Sequence, residues 1–450
     1  MFALRARGIG ERDLKATVGV VSLGCSKNRV DTEQMLGMLS QAGYTIVSDP
    51  AKAQVIIVNT CGFIGPAKEE SIETIFEMAQ YKEKGCCQLL VATGCFAQRY
   101  PEAVKEEMPE VDAILGVGQY DKLLCALEEA SREMRPLYVK PSSGFLECER
   151  VLTTPSYSAY VKIGDGCDNR CSYCAIPLIR GGYRSRPMED ILQEIKALAA
   201  RGVSEITLVA QDTTRYGTDW QDGRSQLPEL LEAASKVEGV TFLRTLYCYP
   251  DRVDERLLDT IERLPNACRY IDLPIQHIDP LLLRRMNRHG TAEHIRYLAK
   301  EIRRRGMMLR TSIIVGFPGE TQEQFDELMD FVREAQFDRL GAFAYSAEED
   351  TPAALMPDQI PEEVKQQRLD ALMELQQGIS LARNELRVGT TCRVLVEGRR
   401  EGYLVGRSEM EAPETDGQIL FTAGEDVHPG SYVDVRITRA LEYDLIGERV

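Results

Sequence analysis

Three cysteines lie within eight positions of the stretch "GDGCDNRCSYCAIPLIRGGYRSR": Cys167, Cys171 and Cys174. Their C-x3-C-x2-C spacing puts three thiolates on one short loop, where they can bind three corners of a [4Fe–4S] cube. With no fourth protein ligand nearby, the remaining iron would stay open to a small chelating molecule. Structural zinc sites are closed by four ligands, and no His or further Cys follows at zinc-finger spacing, so the pattern favours an open iron–sulfur cluster over zinc.

Three further cysteines each follow a predicted strand near the N-terminus. "TVGVVSLGC", "QVIIVNTC" and "QLLVATGC" end at Cys25, Cys61 and Cys95. Ligands of an open parallel sheet lie beyond the carboxyl ends of its strands, so we expect these three thiols to converge. The alternative is that they are buried as small apolar residues, which is common for free cysteine.

Hydrophobic runs alternate with amphipathic stretches along most of the chain, which indicates a multidomain α/β protein. Residues 16–135 predict a doubly wound parallel α/β domain. Residues 155–383 repeat the strand–helix unit about six times and predict a partial (β/α)6 barrel. Short strands separated by glycines and polar turns predict a small all-β barrel over 384–450. Residues 1–15 are expected to be a flexible N-terminus and 136–154 a linker.

A β/α barrel carries its site at the carboxyl ends of its strands, which marks several further candidates for binding a cofactor or substrate. The cysteine-rich stretch follows the first barrel strand. Gln211 and Asp212 end the next strand and are polar where an apolar residue would pack. "IIVGFPGE" ends another with Gly316, Pro318 and Gly319, where glycines let the backbone approach a ligand. The alternative for this stretch is a turn that needs positive φ.

The overall charge restricts the class of partner. Lys and Arg number 54 against 70 Asp and Glu, for a net charge of −16. This disfavours non-specific binding to nucleic acid or to an anionic membrane. Between residues 384 and 450 there are eight basic and thirteen acidic residues, a net −5. Such a barrel is suited to a basic protein partner rather than to RNA.

The lack of a recognisable signal peptide or membrane span and the number of cysteines predict a cytoplasmic protein. The N-terminal stretch lacks the apolar core of a signal peptide, and no run of 18 apolar residues is present, so no membrane contact is expected. The 13 cysteines are an odd number in a long chain, which favours metal or redox chemistry over a disulfide framework.

The loop motif, with Tyr173 as the aromatic before its last cysteine, resembles that of the radical S-adenosylmethionine superfamily. This resemblance implies that the open iron binds S-adenosylmethionine and that its reduction yields a 5′-deoxyadenosyl radical. It also implies that Tyr173 and the "GFPG" turn contact the cofactor. Arg180, in "LIRGG", is a candidate to pair with a cofactor or substrate carboxylate.

Most of the remaining chain resembles the methylthiotransferase family. "SLGCSKNRVDTEQM", "VNTCGFI" and "GCFAQRY" are similar to its amino-terminal domain, and the last segment resembles its TRAM domain. In that family, cysteines at the positions of Cys25, Cys61 and Cys95 hold a second [4Fe–4S] cluster. The expected cofactors are therefore two [4Fe–4S] clusters and S-adenosylmethionine.

Several stretches resemble the RimO-type branch, which modifies an aspartate of small-subunit ribosomal protein twelve: "LVAQDTTRYG", "YIDLPIQH", "FAYSAEEDTPAA" and "RSEMEAPETDGQILF". The sequence departs from that branch at Glu411, where Asp more often precedes "APE". The resemblance implies methylthiolation of the aspartate β-carbon, with a basic ribosomal protein as partner and flavodoxin or ferredoxin as electron donor. The alternatives are a transfer-RNA adenosine methylthiotransferase, which the acidic barrel disfavours, and a non-catalytic iron–sulfur scaffold or sensor.

Overall fold

The computed structural model describes residues 16–140, 144–422, 424 and 426–450. The segment predicted as a flexible N-terminus, 1–15, lies outside the described residues. In the described part of the chain, no helix is both long and apolar enough to cross a bilayer.

The first unit is a parallel sheet with helices on both faces. Its apolar side chains form two separate cores, so that Val55 and Ile57 pack on one face while Ile56 and Val58 pack on the other. The strands are β1 (Thr17–Ser22), β2 (Thr45–Ile46), β3 (Val55–Thr60), β4 (Leu89–Gly94), β5 (Ala113–Leu115) and β6 (Leu137–Tyr138). The helices are α1 (Ser26–Gln41), α2 (Gly65–Ala79), α3 (Tyr81–Lys84), α4 (Cys95–Arg99), α5 (Pro101–Glu107) and α6 (Leu123–Ala130), with 3₁₀ turns at Pro50–Lys52 and Tyr120–Lys122. The strand order is β2-β1-β3-β4-β5-β6 and every pair is parallel, which confirms the predicted doubly wound fold.

The sheet extends into the stretch that the sequence indicates as a linker, 136–154. Strand β6 lies inside this stretch and pairs with β5. Arg150, further along, is buried and forms an ion pair with Glu33 of α1. A two-residue strand is too short to produce a hydrophobic pattern, so the sequence does not reveal this extension.

The second unit is a partial barrel of six parallel strands. Two three-stranded sheets, in the orders β11-β10-β7 and β12-β13-β14, are joined by a parallel bridge between Leu243 and Ala267. The six barrel strands are β7 (Ser158–Lys162), β10 (Glu205–Val209), β11 (Phe242–Thr245), β12 (Tyr270–Asp272), β13 (Met308–Val315) and β14 (Arg339–Ala344). Two short strands, β8 (Gly164–Asp165) and β9 (Arg184–Ser185), lie between β7 and β10 in the chain. The predicted six strand–helix units are confirmed, and β8 and β9 form an additional antiparallel pair.

The helices of this unit cover the outside of the barrel and share one large apolar core with its strands. They are α7 (Ile176–Arg180), α8 (Met188–Ala200), α9 (Leu227–Ser235), α10 (Glu255–Arg263), α11 (Pro280–Arg285), α12 (Ala292–Arg304), α13 (Gln322–Ala335) and α14 (Glu362–Glu385), with 3₁₀ turns at Thr213–Arg215, Pro250–Arg252 and Pro352–Leu355. The long helix α14 packs on β14 and leads into the third unit.

The third unit is a closed five-stranded barrel in the order β15-β16-β17-β19-β18, as the sequence predicts. Its strands are β15 (Thr391–Arg400), β16 (Tyr403–Arg407), β17 (Ile419–Thr422), β18 (Tyr432–Ala440) and β19 (Leu445–Arg449). It covers the end of the central barrel at which the strands begin, because Leu395 and Ala412 share an apolar cluster with Tyr157, Phe242 and Tyr270.

A buried ion pair fixes this third unit on the barrel. Both Nη atoms of Arg407 donate to the carboxylate of Glu205, at 2.9 and 2.7 Å, and Ser158 Oγ donates to the same carboxylate at 2.8 Å. Burial raises the pKa of Glu205, but the Arg407 guanidinium outweighs burial and the net shift is downward. Glu205 is therefore ionised and fully paired at neutral pH.

Replacing Arg407 with Met should lower the free energy of unfolding by about 3 kcal/mol, because the buried Glu205 carboxylate would lose its two closest charged hydrogen bonds and keep only Arg244, at 3.8 Å, as a cationic partner. Urea unfolding of the full-length protein measures this loss. Arg436→Met, which removes an exposed pair with Glu448, serves as the control and should cost less than about 1 kcal/mol. Equal losses in the two variants would contradict the structural role given to Arg407.

Candidate metal centres

The stretch with three close cysteines forms a loop that closes on itself. We call residues 166–183 the cysteine loop; strands β8 and β9 pair at its two ends. The backbone N–H of Cys167 donates to the Gly181 carbonyl at 3.1 Å, which joins the start of the loop to its end. The Cys174 N–H donates to the Cys171 carbonyl at 3.0 Å, which turns the middle of the loop back on itself.

The three thiols of the cysteine loop lie close enough to influence one another's ionisation. Burial raises the pKa of Cys167 to about 11, and a charge on Cys171 adds to this effect. Burial also raises the pKa of Cys174 far above its usual value, with contributions from both other cysteines. The three sequence-predicted thiols therefore lie near one another on the loop that follows β7.

A buried arginine that the sequence analysis did not identify contacts this set. Arg288 Nη1 donates to Cys171 Sγ at 3.9 Å, and its guanidinium lies 3.9 Å from the centre of the Tyr249 ring. The Tyr249 hydroxyl is 3.8 Å from the same sulfur. Arg288 lies more than a hundred residues beyond the cysteine loop in no recognisable motif, so no sequence signal identifies it.

Asp212 and Gln211 both lie at the mouth, with different surroundings. Asp212 accepts hydrogen bonds from Asn169 of the cysteine loop at 2.8 Å and from Thr214 at 2.5 Å. Burial raises its pKa in spite of these two bonds. The Gln211 side-chain amide is buried and has no hydrogen-bond partner among the described residues. Asp212 thus orients the loop, whereas Gln211 has a donor and an acceptor available for a ligand.

Tyr173 connects the cysteine loop to the "GFPG" turn. It packs in an apolar cluster with Phe317 and Tyr345, whose rings contact each other edge to face at 5.4 Å. The aromatic position of the motif therefore lies next to the strand end at which the resemblance implies cofactor contact.

The glycines of that turn are required by neighbouring side chains. Gly316 and Gly319 have φ of +70° and +76°, and Pro318 lies between them. A Cβ on Gly316 would lie 2.4 Å from Lys365 Cγ, and one on Gly319 would lie 2.1 Å from Arg285 Nη1. Positive φ accounts for both glycines without a ligand, and the stem of Lys365 adds a steric reason at Gly316, whereas the flexible end of Arg285 could shift away from Gly319.

The three cysteines that follow strands of the first unit, which we call the strand-end cysteines, also converge. Cys25 precedes α1, Cys61 directly follows β3, and Cys95 begins α4 after β4. A Cβ placed on Gly24 would lie 3.1 Å from Cys61 Sγ, and one on Gly62 would lie 3.0 Å from the backbone of Cys95. The loop of each strand thus touches the cysteine of the next.

Electrostatics show the same convergence. Burial raises the pKa of Cys95 to about 12, with further increases from charges on Cys25 and Cys61. Burial also raises the pKa of Cys61. At Cys25, the Lys27 ammonium and the Arg180 guanidinium outweigh burial and lower the pKa. The positive charge of Arg180 acts on all three thiols.

Asn28 and Arg180 hold the loops around these thiols together. Asn28 Nδ2 donates to the carbonyls of Leu23 and Thr60, at 3.1 and 2.8 Å, which joins the ends of β1 and β3. Asn28 Oδ1 accepts from Arg180 Nη2 at 2.8 Å and lies 3.6 Å from Cys95 Sγ. Because Arg180 belongs to α7, within the cysteine loop, a side chain of the second unit completes the site of the first.

Four buried charges surround this contact, and we call Arg180, Asp31, Lys162 and Asp165 the interdomain network. Arg180 donates to Asp165 at 3.1 Å and to Asp31 at 3.1 Å, and Lys162 pairs with both carboxylates. Each of the four side chains is at most 8% exposed. The guanidinium is thus bound by protein carboxylates, not placed in a solvated loop.

The two cysteine groups are direct neighbours. Cys95 packs in one apolar cluster with Val117, Ala175 and Ile179. Ala175 is the residue after Cys174, so one strand-end cysteine packs against the residue that follows the last cysteine of the loop. The first unit therefore covers the barrel at its cysteine-bearing end.

Family models match the three units in order: UPF0004 over residues 17–116, the radical SAM superfamily over 161–332 and a TRAM domain over 388–450. The chain is 50% identical over 444 residues to the ribosomal protein uS12 methylthiotransferase RimO of Desulforamulus reducens, covering 96% of this chain and 99% of the relative. The RimO protein of Heliobacterium modesticaldum is 48% identical over 457 residues, covering 100% and 98%. The chain belongs to the RimO family of radical S-adenosylmethionine methylthiotransferases. It is therefore an iron–sulfur enzyme that uses S-adenosylmethionine.

Solved structures share the fold at low sequence identity. The radical S-adenosylmethionine methyltransferase TsrM from Kitasatospora setae aligns with a TM-score of 0.55 at 17% identity, over 87% of this chain and 81% of its own. The cobalamin-dependent radical enzyme OxsB aligns with a TM-score of 0.51 at 13% identity, over 80% and 56%. At these identities both likenesses concern the fold alone.

The side chains of this RimO-family protein suit iron–sulfur clusters. Each group offers three thiols, and thiolates are the usual ligands of such clusters. Among the residues that the structure describes, no three His, Cys, Asp or Glu side chains are arranged to hold a single metal ion. A cluster spreads its irons over a cube, so its thiolates need not meet at one point. The unpartnered amide of Gln211 adds a polar contact for a small cofactor.

On the far side of the barrel a second contact, which we call the latch, ties the first unit to the end of β14. The buried Glu348 carboxylate accepts from Gly65 N–H at 2.9 Å and pairs with Arg99 at 3.0 Å and Lys68 at 3.1 Å. Burial raises the pKa of Glu348, but Lys68 and its other donors outweigh burial and the net shift is downward. The latch therefore fixes the loop after Cys61 and the helix after Cys95 against the barrel.

Replacing Glu348 with Gln should speed amide hydrogen exchange of segment 62–68 about tenfold, because two buried cations lose their shared carboxylate. Hydrogen-exchange mass spectrometry of the full-length protein measures this rate. Glu363→Gln, on the exposed side of α14, is the control and should leave the segment unchanged. An unchanged rate in the Glu348 variant would show that the latch does not hold the Cys61 loop.

Proposed function

We propose that this enzyme adds a methylthio group to the β-carbon of an aspartate in ribosomal protein uS12. The cysteine loop would hold one [4Fe–4S] cluster and the strand-end cysteines a second. The observation that supports this proposal most directly is the contact of Cys95 with Ala175 and Ile179, which brings the two groups of thiols together. A short-lived carbon radical has to be captured where it forms, so the two sites need to be neighbours.

When bound, the clusters and S-adenosylmethionine supply the one-electron chemistry that removes an unactivated hydrogen and the sulfur that replaces it. The protein binds and orients the reactants. Its cysteines must lose their protons to become ligands. At Cys95, burial raises the pKa and the Arg180 guanidinium, whose Nη2 donates to Cys95 Sγ at 3.6 Å, acts against that rise. The Gln211 amide is available for S-adenosylmethionine, and the apolar side chains around Cys95 exclude water between the two sites.

Charge supports a protein substrate over transfer RNA. The relatives at 48–50% identity are named for ribosomal protein uS12. Ribosomal proteins are basic, whereas this chain carries −16 overall and −5 in its C-terminal barrel. That barrel packs mainly on the strand-start end, so most of its charge would act by long-range attraction. We place the enzyme in the cytoplasm, with flavodoxin or ferredoxin as electron donor.

Anaerobic reconstitution should load about eight irons per chain if two clusters form. Joint Cys→Ala replacement at positions 25, 61 and 95 should halve the iron content, retain cleavage of S-adenosylmethionine to 5′-deoxyadenosine and abolish methylthiolation. Iron analysis and chromatography of the nucleoside check this. Replacement of Cys86, Cys125 and Cys392, which lie outside both groups, is the control and should retain full iron loading. Methylthiolation by the first variant would refute the second cluster's role.

Incubation with purified uS12, small ribosomal subunits and transfer RNA should give a product only with the first two. Mass spectrometry should locate an added SCH3 group on an aspartate, and raising the salt concentration should weaken the reaction because charge attraction is screened. Joint Cys→Ala replacement at 167, 171 and 174 gives the background. A methylthiolated adenosine in transfer RNA would support the alternative substrate instead, and formation of no 5′-deoxyadenosine at all would support a non-catalytic iron–sulfur scaffold.

A further inference from the structure

The buried Arg180 lies in the cysteine loop, but its side chain contacts a strand-end cysteine. Arg180 ends α7, six residues after Cys174, and its side chain is 1% exposed. Its Nη2 atom lies 3.6 Å from Cys95 Sγ and also donates to Asn28 and Asp31. A cationic N–H thus points at Cys95, the buried sulfur of the strand-end group.

The charges around this arginine are balanced. Arg180 and Lys162 contribute two positive charges, and Asp31 and Asp165 contribute two negative ones. Loss of the guanidinium would leave one uncompensated carboxylate charge beside Cys95. In a buried site such a charge acts strongly, because little water is present to screen it.

We propose that Arg180 is a positioning residue that acts through Cys95 and raises the reduction potential of the cluster bound at the strand-end cysteines. The proposal rests on the proposed function, since it requires a cluster at that site. Reduction adds a negative charge to a cluster. A cation that donates an N–H to one of its thiolates stabilises the reduced state, and hydrogen bonds to sulfur and net charge are established determinants of cluster potentials.

The arrangement also couples the two sites. Arg180 is covalently continuous with the cysteine loop through α7, whereas Cys95 belongs to the first unit. The potential of one cluster therefore depends on the placement of the loop that holds the other.

Arg150 provides a matched control. It is also buried between α1 and the barrel, with Nη1 3.2 Å from Glu33 and Nη2 2.9 Å from the carbonyl of Tyr160. Its side chain is 2% exposed, and among the described residues it contacts none of the six cysteines of the two groups. A loss of interface stability would affect variants of both arginines, whereas an effect on the cluster's electronics would be confined to Arg180.

The experiment uses the full-length chain with Cys→Ala at 167, 171 and 174, so that only the second cluster is loaded. Redox titration followed by electron paramagnetic resonance gives its midpoint potential. Arg180→Met should lower the equilibrium constant for reduction at least tenfold, which is about 59 mV for one electron. Arg180→Lys keeps the positive charge but loses the planar set of guanidinium N–H donors. It should lower the midpoint potential by less than Arg180→Met does. Arg150→Met should leave it unchanged.

An unchanged potential in Arg180→Met, or an equal shift in Arg150→Met, would overturn the proposal. If Arg180→Met binds no iron, Arg180→Lys decides, and an unchanged potential in that variant overturns the proposal. If the parent chain without an arginine replacement binds no iron, the second cluster of the proposed function fails, and this inference fails with it. If the parent chain binds iron but its Arg180 variants have the same midpoint potential as the parent, only the role of Arg180 is overturned.

Discussion

The placement of the two cysteine groups depends on a set of buried charges between the first unit and the central barrel. Arg180, Asp31, Lys162 and Asp165 are almost completely excluded from water, and each positive charge contacts both carboxylates. Desolvating such groups is costly, and separating them would leave charges unpaired in a poorly screened environment. The domains are therefore held in one discrete orientation. Cys95 lies beside the cysteine loop only in that orientation.

In both α/β units, the candidate cluster ligands lie at the carboxyl ends of parallel strands. Side chains at the carboxyl ends of parallel strands meet at one edge. The first unit presents three cysteines there and the barrel presents a loop with three more. The helix α1 and the latch at Glu348 then hold the two edges face to face, from opposite sides of the barrel. The C-terminal barrel packs on the opposite end, where the strands begin, and reaches α1 through the Arg29–Glu414 ion pair.

Much of the fold could be predicted because its elements are long and strongly patterned. The run "VIIVN" is apolar throughout because β3 is covered on both faces, and this pattern identifies a parallel strand. Leu137–Tyr138 is half-buried and two residues long, so its membership of the sheet leaves no comparable trace. At Gly316 and Gly319 the sequence indicates a backbone conformation that favours glycine. It does not show that Lys365 and Arg285 approach these glycines, because both side chains belong to other elements of the fold.

The sequence alone determined which thiols are the candidate ligands, because spacing within one loop and repetition at successive strand ends are local properties of a chain. It thereby identified six thiols in two groups of three. Only the tertiary structure decided how the groups relate to each other. Arg180 reaches Cys95, 85 positions away, and Arg288 reaches Cys171, 117 positions away. Contacts of this kind depend on how domains and barrel strands pack, and no local pattern records which distant sulfur a buried arginine will face.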